Sequence, residues 1–145
     1  MADGCPFCGV VAGRRDQEVV YGDERVIAFL CEPPAVWGHT LVVPRRHVAD
    51  VWSIASDDLA AAMVAAKRVA AALRVAVGAE GISLRQNSGD ASGQDVPHFH
   101  LHVIPRREGD GLGPACVWGA PPWEPPPGGD PERRRVADAI RRALA

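Results

Sequence analysis

Three histidines alternate with apolar residues in the segment PHFHLHVI, residues 97–104. Because successive side chains of a β-strand point to opposite faces, His98, His100 and His102 are predicted to share one face. The apolar residues between them are predicted to face the core. The chain has only five histidines, so three at this spacing favour a chemical role over three independent structural ones.

Two chemistries could use such a row, and the spacing separates them. Alternate residues of a strand lie about 6.6 Å apart, whereas a zinc–nitrogen bond is only about 2.1 Å long. At most one or two of the histidines are therefore expected to ligate one ion. The other chemistry is nucleophilic catalysis, in which a neutral imidazole attacks phosphorus while its second nitrogen donates a positioning hydrogen bond. The middle residue, His100, has a histidine on either side of it and is predicted to be the nucleophile.

The elements that must position the row are mainly strands. Strands are predicted at residues 18–21, 25–30, 40–43, 82–86 and 99–104, where β-branched and apolar residues are frequent. The polar residues 22–24 indicate a hairpin between the first two strands. Residues 87–95 are predicted to form a polar loop immediately before the histidine row.

Two helices complete the predicted architecture. Ser56 is the expected N-cap of a long helix whose apolar residues recur at helical spacing until Gly78. Prolines make residues 120–129 an irregular surface segment, after which Asp130 and Pro131 match the N-cap and first position of a terminal helix. The fold class expected is α+β, an antiparallel sheet of about five strands with one long helix and a C-terminal helix.

Composition limits the classes of protein to consider. With 145 residues, 47% of them hydrophobic, the chain suits one domain over residues 1–145, with its core at about 5–106 and the Pro-rich loop and C-terminal helix at 107–145. A net charge of -2 disfavours binding to a nucleic-acid polymer. Neither a signal peptide nor an apolar run of roughly 20 residues is seen, so no membrane association and a cytoplasmic location are expected.

Four cysteines in a reducing compartment are not expected to form disulfides. Cys5 and Cys8 have the C-x-x-C spacing that lets two thiolates reach one metal. The strand before and the helix after such a pair, which a redox motif requires, are not predicted here. Taken alone, the pair is a weak indication of a metal site.

Together with these cysteines and histidines, the chain resembles the histidine-triad (HIT) family, in particular its bacterial Hint-like branch. The alternating histidines carry the family signature. The other matching segments, in the family's order, are Cys5 to Cys8, Gly38 to Pro44 with Arg46 and His47, Asn87 to Gly89, and Gly93 with Gln94. The resemblance covers residues 5–104 and implies a HIT-like antiparallel sheet in a nucleotide hydrolase or transferase.

The resemblance also implies roles for individual residues. His100 would form a nucleotidyl-imidazole intermediate, from which water releases a nucleoside monophosphate. His102, Asn87 and Gln94 match positions that hold phosphate oxygens or the leaving group. The implied substrates are purine nucleotides, AMP-containing phosphoramidates or dinucleoside polyphosphates. A homodimer formed through the long helix and an adjoining sheet edge is also implied.

A zinc site is implied by the same resemblance, because some members and the related galactose-phosphate uridylyltransferases hold zinc with a C-x-x-C pair and two histidines. The matching residues here are Cys5, Cys8, His47 and His98. Four protein ligands leave no position for a catalytic water, so this zinc would be structural and not required for the chemistry. The remaining histidine, His39, is the other candidate ligand, but because it precedes a strand it is expected instead to be bonded to backbone.

Two positions depart from the family pattern. Where members usually have an acidic residue or asparagine to hold the ribose, this chain has Cys31 followed by Glu32. A thiol is a weak hydrogen-bond partner, so either Glu32 replaces it or ribose contact is weaker. Asp95 follows Gln94 where some members have serine, and its carboxylate is expected to point away from the phosphate or to act before substrate binds.

Other functions remain open on sequence alone. One is a nucleotide-binding regulatory dimer whose catalysis is incidental, since a retained pocket does not prove turnover. Another is a metallohydrolase with His100 and His102 as metal ligands, which strand geometry and the lack of a nearby third ligand oppose.

Overall fold

A computed structural model describes residues 2–121 and 123–145 of the chain. Its five strands are β1 (Val19–Gly22), β2 (Val26–Leu30), β3 (Thr40–Pro44), β4 (Gly81–Arg85) and β5 (Leu101–Arg106). Its α-helices are α1 (Pro6–Val11), α2 (Ser56–Ala76) and α3 (Gly129–Leu144). A short 3-10 helix, Asp90–Ser92, lies in the loop between β4 and β5. Among the described residues, no helix combines the length and apolar composition needed to cross a membrane.

The strands form one sheet in the order β1-β2-β3-β5-β4. Every neighbouring pair is antiparallel, from the β1–β2 hairpin to the β4–β5 pair. The predicted α+β class, with a five-stranded antiparallel sheet, one long helix and a C-terminal helix, is confirmed.

Both faces of the sheet are covered, which explains why β2 and β3 are buried at every position. On one face Val26, Ala28 and Leu30 belong to a core that includes buried residues of α2 and α3. On the other face Ile27 and Phe29 belong to a second core that includes residues of α1. The alternation of β2 therefore divides two apolar layers, because successive side chains point to opposite sides.

Helix α1 was not expected from the sequence, and the expectation that no helix follows the C-x-x-C pair is wrong. Cys5 is the N-cap of α1, its sulfur accepts from the Cys8 N–H, and Pro6 occupies the first turn. Proline suits that position because the first N–H groups of a helix have no intrahelical partner. Six residues are too few for helical periodicity to show in the sequence.

The other helices begin slightly earlier than predicted. The carbonyl of Ala55 accepts from the Leu59 N–H, so Ala55, and not Ser56, is the N-cap of α2. Gly128, with a φ of 117°, is the N-cap of α3 in place of Asp130. Glycine adopts this positive φ readily, so the chain can turn into the helix two residues sooner.

Strand β5 begins two residues later than predicted, at Leu101. Its pairing with β3 ends at Val42 opposite Leu101. Continuing the ladder would require a donor from Pro44, which has no N–H. The Phe99 N–H instead donates to the carbonyl of Val48 in the loop after β3.

Candidate functional site

The histidine row lies where the loop after β4 enters β5. His98 and His100 precede the strand and His102 lies within it. All three are buried, with exposed fractions of 0%, 2% and 9%. The rings of His100 and His102 are 5.1 Å apart between centroids. The apolar residues between the histidines belong to the core that includes α2.

His98 faces the N-terminal cysteines. Its Nδ1 lies 3.5 Å from the sulfur of Cys5 and 3.6 Å from that of Cys8, and the Cys8 sulfur lies 3.3 Å from His47 Nδ1. The four donor atoms all lie within 4.8 Å of one another. This spacing suits tetrahedral zinc, with bonds of about 2.0–2.3 Å. The four side chains could therefore hold a metal ion.

The protonation of His98 fits that use. Its Nε2–H donates to the carbonyl oxygen of Pro44 at 2.8 Å, so the lone pair of Nδ1 is directed toward the cysteines. Burial lowers the pKa of His98, which favours the neutral form that a metal needs. Burial raises the pKa of the Cys8 thiol, and a bound cation would oppose that effect by stabilising the thiolate.

His100 presents a free nitrogen to a cavity. Its Nδ1–H donates to the carbonyl oxygen of His98 at 2.8 Å, which leaves the lone pair on Nε2. That Nε2 lies 3.5 Å from Oδ1 of Asp95. In the absence of substrate the carboxylate thus points toward His100, and its direction relative to a bound phosphate stays a prediction. Its side chain is 79% exposed, so water competes with this contact.

His39 and His102 are joined by a hydrogen bond that fixes the tautomer of both. The backbone N–H of Ala35 donates to His39 Nδ1 at 3.0 Å, so the His39 proton is on Nε2. This Nε2–H donates to His102 Nδ1 at 2.8 Å, which leaves the proton of His102 on its own Nε2. Burial lowers the pKa of His39 and lowers that of His102 to about 4, so both rings are neutral at pH 7.

The expectation that His39 bonds to backbone is confirmed by its contact with Ala35. Its contact with His102 was missed. A signal existed in the sequence, since His39 directly precedes the strand that pairs with β5, but the register of the two strands was needed to use it.

Two cavities meet at the row. The main cavity, about 300 Å³, has an apolar wall and a polar one, and its lining includes Phe7, Phe29, Leu41, Cys31, Glu32, Asp95, His100 and His102. The side cavity, about 260 Å³, is lined by Arg85, Asn87, Ser92, Gly93, Asp95, His102, Val117 and Trp118. Asp95 and His102 line both. A third cavity of about 400 Å³ has no histidine or cysteine in its lining and lies away from this chemistry.

Asn87 and Gln94 have different surroundings in the structure. Asn87 lines the side cavity next to His102. The Gln94 amide accepts from the Gly89 N–H at 2.7 Å and donates to the carbonyl oxygens of Ala49 and Val96 at 2.7 and 3.0 Å. Its side chain therefore holds the loop before the triad, and it lines neither the main nor the side cavity.

Cys31 and Glu32 both line the main cavity. Burial, with the nearby charges of Asp95 and Glu32, raises the pKa of Cys31 to about 12, so its thiol is neutral. The thiol donates to the Pro33 carbonyl at 3.6 Å. Glu32 Oε2 lies 3.4 Å from Nη1 of Arg133 in α3. The only acidic neighbour of Cys31 in sequence is thus already paired with a cation.

A family model described as the HIT domain matches residues 12–109. The chain belongs to the HIT family. Protein hit of Bacillus subtilis (strain 168) is 40% identical over 119 residues, which cover 81% of this chain and 80% of that protein. The crystal structure of a zinc-bound histidine triad family protein from Mycobacterium smegmatis superposes with a TM-score of 0.83 at 32% identity, covering 97% of this chain and 93% of that one.

One HIT relative has a name that states an activity. Adenylylsulfatase HINT3 of Arabidopsis thaliana is 29% identical over 118 residues, which cover 81% of this chain and 57% of that protein.

Proposed function

We propose that this HIT protein is a nucleotide hydrolase or transferase that releases an AMP-like nucleoside monophosphate through a covalent intermediate on His100. The observation that carries the proposal is the tautomer of His100. Its proton is held on Nδ1 by the His98 carbonyl, so the nucleophilic lone pair of Nε2 faces the main cavity. The substrates proposed are phosphoramidates and dinucleoside polyphosphates of a purine nucleoside.

The proposed reaction has two displacements at phosphorus. First, His100 Nε2 forms a bond to the α-phosphorus and the bond to the leaving group breaks. The electron pair of that bond departs with the leaving atom, which takes a proton from solvent if it is an amine. Water then attacks phosphorus, the P–Nε2 bond breaks, its electron pair returns to Nε2, and a water proton passes to solvent. Transfer to another acceptor replaces water in the second step.

His102 is proposed to stabilise the phosphoryl oxygens during both steps. Its free Nε2–H is a neutral donor, directed by the His39 bond to the opposite ring nitrogen. A preorganised donor beside developing negative charge lowers the barrier, since it need not reorganise as the charge forms. Asn87 supplies an amide beside His102 in the side cavity. Gln94 is proposed to act on the phosphate only indirectly, because its side chain holds the shape of the loop before the triad and lines neither cavity.

The nucleoside is proposed to occupy the main cavity. Its apolar wall suits a purine base, and Cys31 and Glu32 lie where the ribose hydroxyls would be held. A neutral thiol offers little to a hydroxyl group, so Glu32 is the stronger candidate acceptor.

We propose that the metal held by Cys5, Cys8, His47 and His98 is zinc and that its role is structural. The donor set of two thiolates and two imidazoles is one that zinc prefers. The zinc-bound relative supports this identity by similarity. The site joins α1 to the segment that carries His100, so zinc would fix the histidine row relative to the N-terminus.

We further propose a homodimer in which α2 and the edge strand β4 face a second copy. β4 has a neighbour on one side only. The exposed large apolar residues include members of α2 and β4, namely Leu59, Met63, Val64, Val75 and Leu84. Exposed apolar groups near an open strand edge favour a protein partner.

The whole chain, residues 1–145, is proposed to be one domain, because α3 packs against α2 and β1. A cytoplasmic location is proposed because the thiolate site needs reduced cysteines.

A fluorogenic adenosine phosphoramidate tests the reaction. Wild type should release AMP, His100→Asn and His100→Gly should lose several orders of magnitude in rate while still binding AMP, and His102→Ala should lose less. A nucleotidyl adduct should be trapped on wild type by acid-free quenching and digestion. Near wild-type turnover by His100→Asn would overturn the covalent route. AMP binding without turnover by wild type would favour a regulatory nucleotide-binding dimer.

Chelation tests the remaining alternative, a metallohydrolase with a catalytic metal. If His100 and His102 were ligands of a catalytic metal, a chelator should stop turnover at once and added zinc should restore it. With a covalent route, loss of the structural zinc should lower turnover by no more than about 10–100-fold and should not abolish it.

A further inference from the structure

Arg85 and His102 are directly opposite each other in the antiparallel pair of β4 and β5. Residues opposite in such a pair point to the same face, with Cβ atoms about 4.5–5.5 Å apart. The edge strand thus brings a cation beside the histidine proposed to hold the phosphoryl oxygens. Both residues line the side cavity.

The Arg85 side chain is held in place without being neutralised. Its Nη1 donates to the carbonyl oxygen of Cys116 at 3.0 Å, and its guanidinium carbon lies 5.2 Å from the ring centroid of Trp118. The Trp118 ring in turn contacts His102, with centroids 5.5 Å apart. Among residues 2–121 and 123–145, no carboxylate forms an ion pair with Arg85. Its remaining N–H donors are available to a ligand.

The position of the side cavity identifies what would reach this cation. If the nucleoside fills the main cavity, phosphorus lies between His100 and His102, where the two cavities meet. In an in-line displacement the leaving group departs from the side opposite the nucleophile. The side cavity, beyond His102, is the space that remains for it.

We propose that the side cavity is a leaving-group subsite in which Arg85 selects an anionic leaving group. The assignment rests on the proposed function and adds to it the chemical class of the group that departs. The anion is a carboxylate or a phosphate, because both accept two parallel hydrogen bonds from a guanidinium. Trp118 forms an apolar side of the subsite, suited to the carbon chain that joins this anion to the scissile bond.

Asp95 is the one carboxylate on the lining of the side cavity, and it opposes an anion there. Its side chain is 79% exposed, so it can turn into solvent when substrate enters. Arg85 has no such freedom, because the Cys116 carbonyl and the Trp118 ring hold it. The fixed charge of the subsite is therefore positive.

Matched pairs of adenosine 5′-phosphoramidates test the subsite. One pair carries glycine or glycinamide on the P–N bond, and the other carries phosphoethanolamine or ethanolamine. For wild type, kcat/KM should be about tenfold higher for the charged member of at least one pair, as for a hydrogen bond to a charged group. A preference in the first pair alone identifies a carboxylate, and one in the second pair alone identifies a phosphate.

Three variants assign the preference to a residue. Arg85→Gln should remove it by lowering kcat/KM for the charged member, with the neutral member little changed. Arg85→Lys keeps the charge but not the planar fork, so part of the preference should remain. Arg142→Gln is the matched control, because this exposed arginine of α3 lines neither the main nor the side cavity.

The outcomes against the proposal are distinct. If Arg85→Gln lowers kcat/KM equally for both members of each pair, the role of Arg85 is only to hold the backbone at Cys116 in place. If wild type has no preference in either pair, the subsite does not select an anion. If wild type turns over none of the four compounds, the proposed function fails; calorimetric binding of the same pairs to wild type and Arg85→Gln then decides the subsite, and equal affinities overturn it.

Discussion

The backbone carbonyl of His98 accepts the Nδ1 proton of His100 at 2.8 Å, while the ring of His98 faces Cys5 and Cys8. One residue therefore belongs to both sites: its side chain to the candidate metal site and its carbonyl to the proposed nucleophile. Any movement of His98 that follows loss of the metal would disturb the tautomer and aim of His100. A bound metal would affect catalysis through this contact, without touching substrate.

Cys8→Ser is expected to release zinc and to lower stability, while reducing activity only indirectly. Loss of one thiolate weakens a four-ligand site, and binding energy of such a site is also folding energy. Elemental analysis of protein purified without chelator should find one zinc per chain in wild type and little in the variant. Activity should fall by about 10–100-fold, the usual effect of residues that orient an active site.

Cys116→Ser is the matched control for that experiment, since Cys116 is also a buried free cysteine but lies outside the metal set. It should keep its zinc. A wild-type protein without zinc, or equal metal content in both variants, would refute the assignment.

The sequence was sufficient to group the three histidines, because they lie close together along the chain and alternate with apolar residues. The two cysteines and their histidine partners are far apart in sequence, and only the resemblance to the HIT family grouped this compact donor set. Contacts that depend on strand register could not be predicted from the sequence. The pairing of Arg85 with His102, and the bond from His39 to His102, join residues far apart in sequence whose alignment is fixed only by the assembled sheet.

Two local details, the direction of the Asp95 side chain and helix α1, could not be predicted from the sequence for a different reason. The direction of the Asp95 side chain depends on the fold of the loop before the triad, where Gln94 bonds to three backbone groups. Helix α1 is stabilised by packing of Phe7 and Val10 on the sheet, since a helix of six residues has little intrinsic stability. Neither effect has a periodic pattern that a sequence reading can detect.

Acidification is expected to destabilise the fold through His102. Its pKa in the folded protein is about 4, below the ordinary value of about 6.5. Between these values the unfolded chain binds more protons than the folded one, so the free energy of unfolding falls as pH falls through this window. The contribution is on the order of 3 kcal/mol, fully present above about pH 6.5 and lost by about pH 4.

Urea unfolding at several pH values measures this effect. It is best done in the Cys8→Ser background, so that metal loss at low pH does not contribute. His102→Asn should flatten the dependence on pH between those limits. If the slope is the same with and without His102, then His102 is not the group that resists protonation.

Removing the Asp95 carboxylate is expected to improve the use of anionic substrates. The carboxylate lies 3.5 Å from His100 Nε2, close to where the phosphate of the proposed substrate would bind. Like charges about 4 Å apart repel by about 1 kcal/mol in water and by several in a less polar site. Asp95→Asn should therefore lower KM several-fold, most clearly at low ionic strength because salt screens exposed charges.

Asp50→Asn serves as a control for the change in net charge, because Asp50 is outside both cavities. Steady-state kinetics at two salt concentrations make the measurement. An unchanged KM in Asp95→Asn would contradict the expected repulsion, and a higher KM would mean that the carboxylate assists the reaction, for example by accepting a proton from water.

The ribose side of the main cavity gives the last prediction. The resemblance to the HIT family implies an acceptor for the ribose at the position of Cys31. The Cys31 thiol is neutral, and Glu32 beside it is paired with Arg133 at 3.4 Å. Cys31→Asp should therefore strengthen AMP binding by about tenfold, because a charged acceptor for a ribose hydroxyl contributes roughly 1.5–3 kcal/mol. Cys31→Asn, which adds a side chain of similar size without the charge, is the matched control and should gain less. Calorimetric titration with AMP measures the affinity of wild type, Cys31→Asp and Cys31→Asn.

Glu32→Ala decides whether the role of ribose acceptor has moved by one residue. Little effect on AMP binding means that Arg133 occupies Glu32, and a large loss means that Glu32 holds the ribose despite its ion pair. If Cys31→Asp weakens AMP binding, or if both Cys31→Asp and Glu32→Ala leave it unchanged, the ribose is held by other atoms of the cavity.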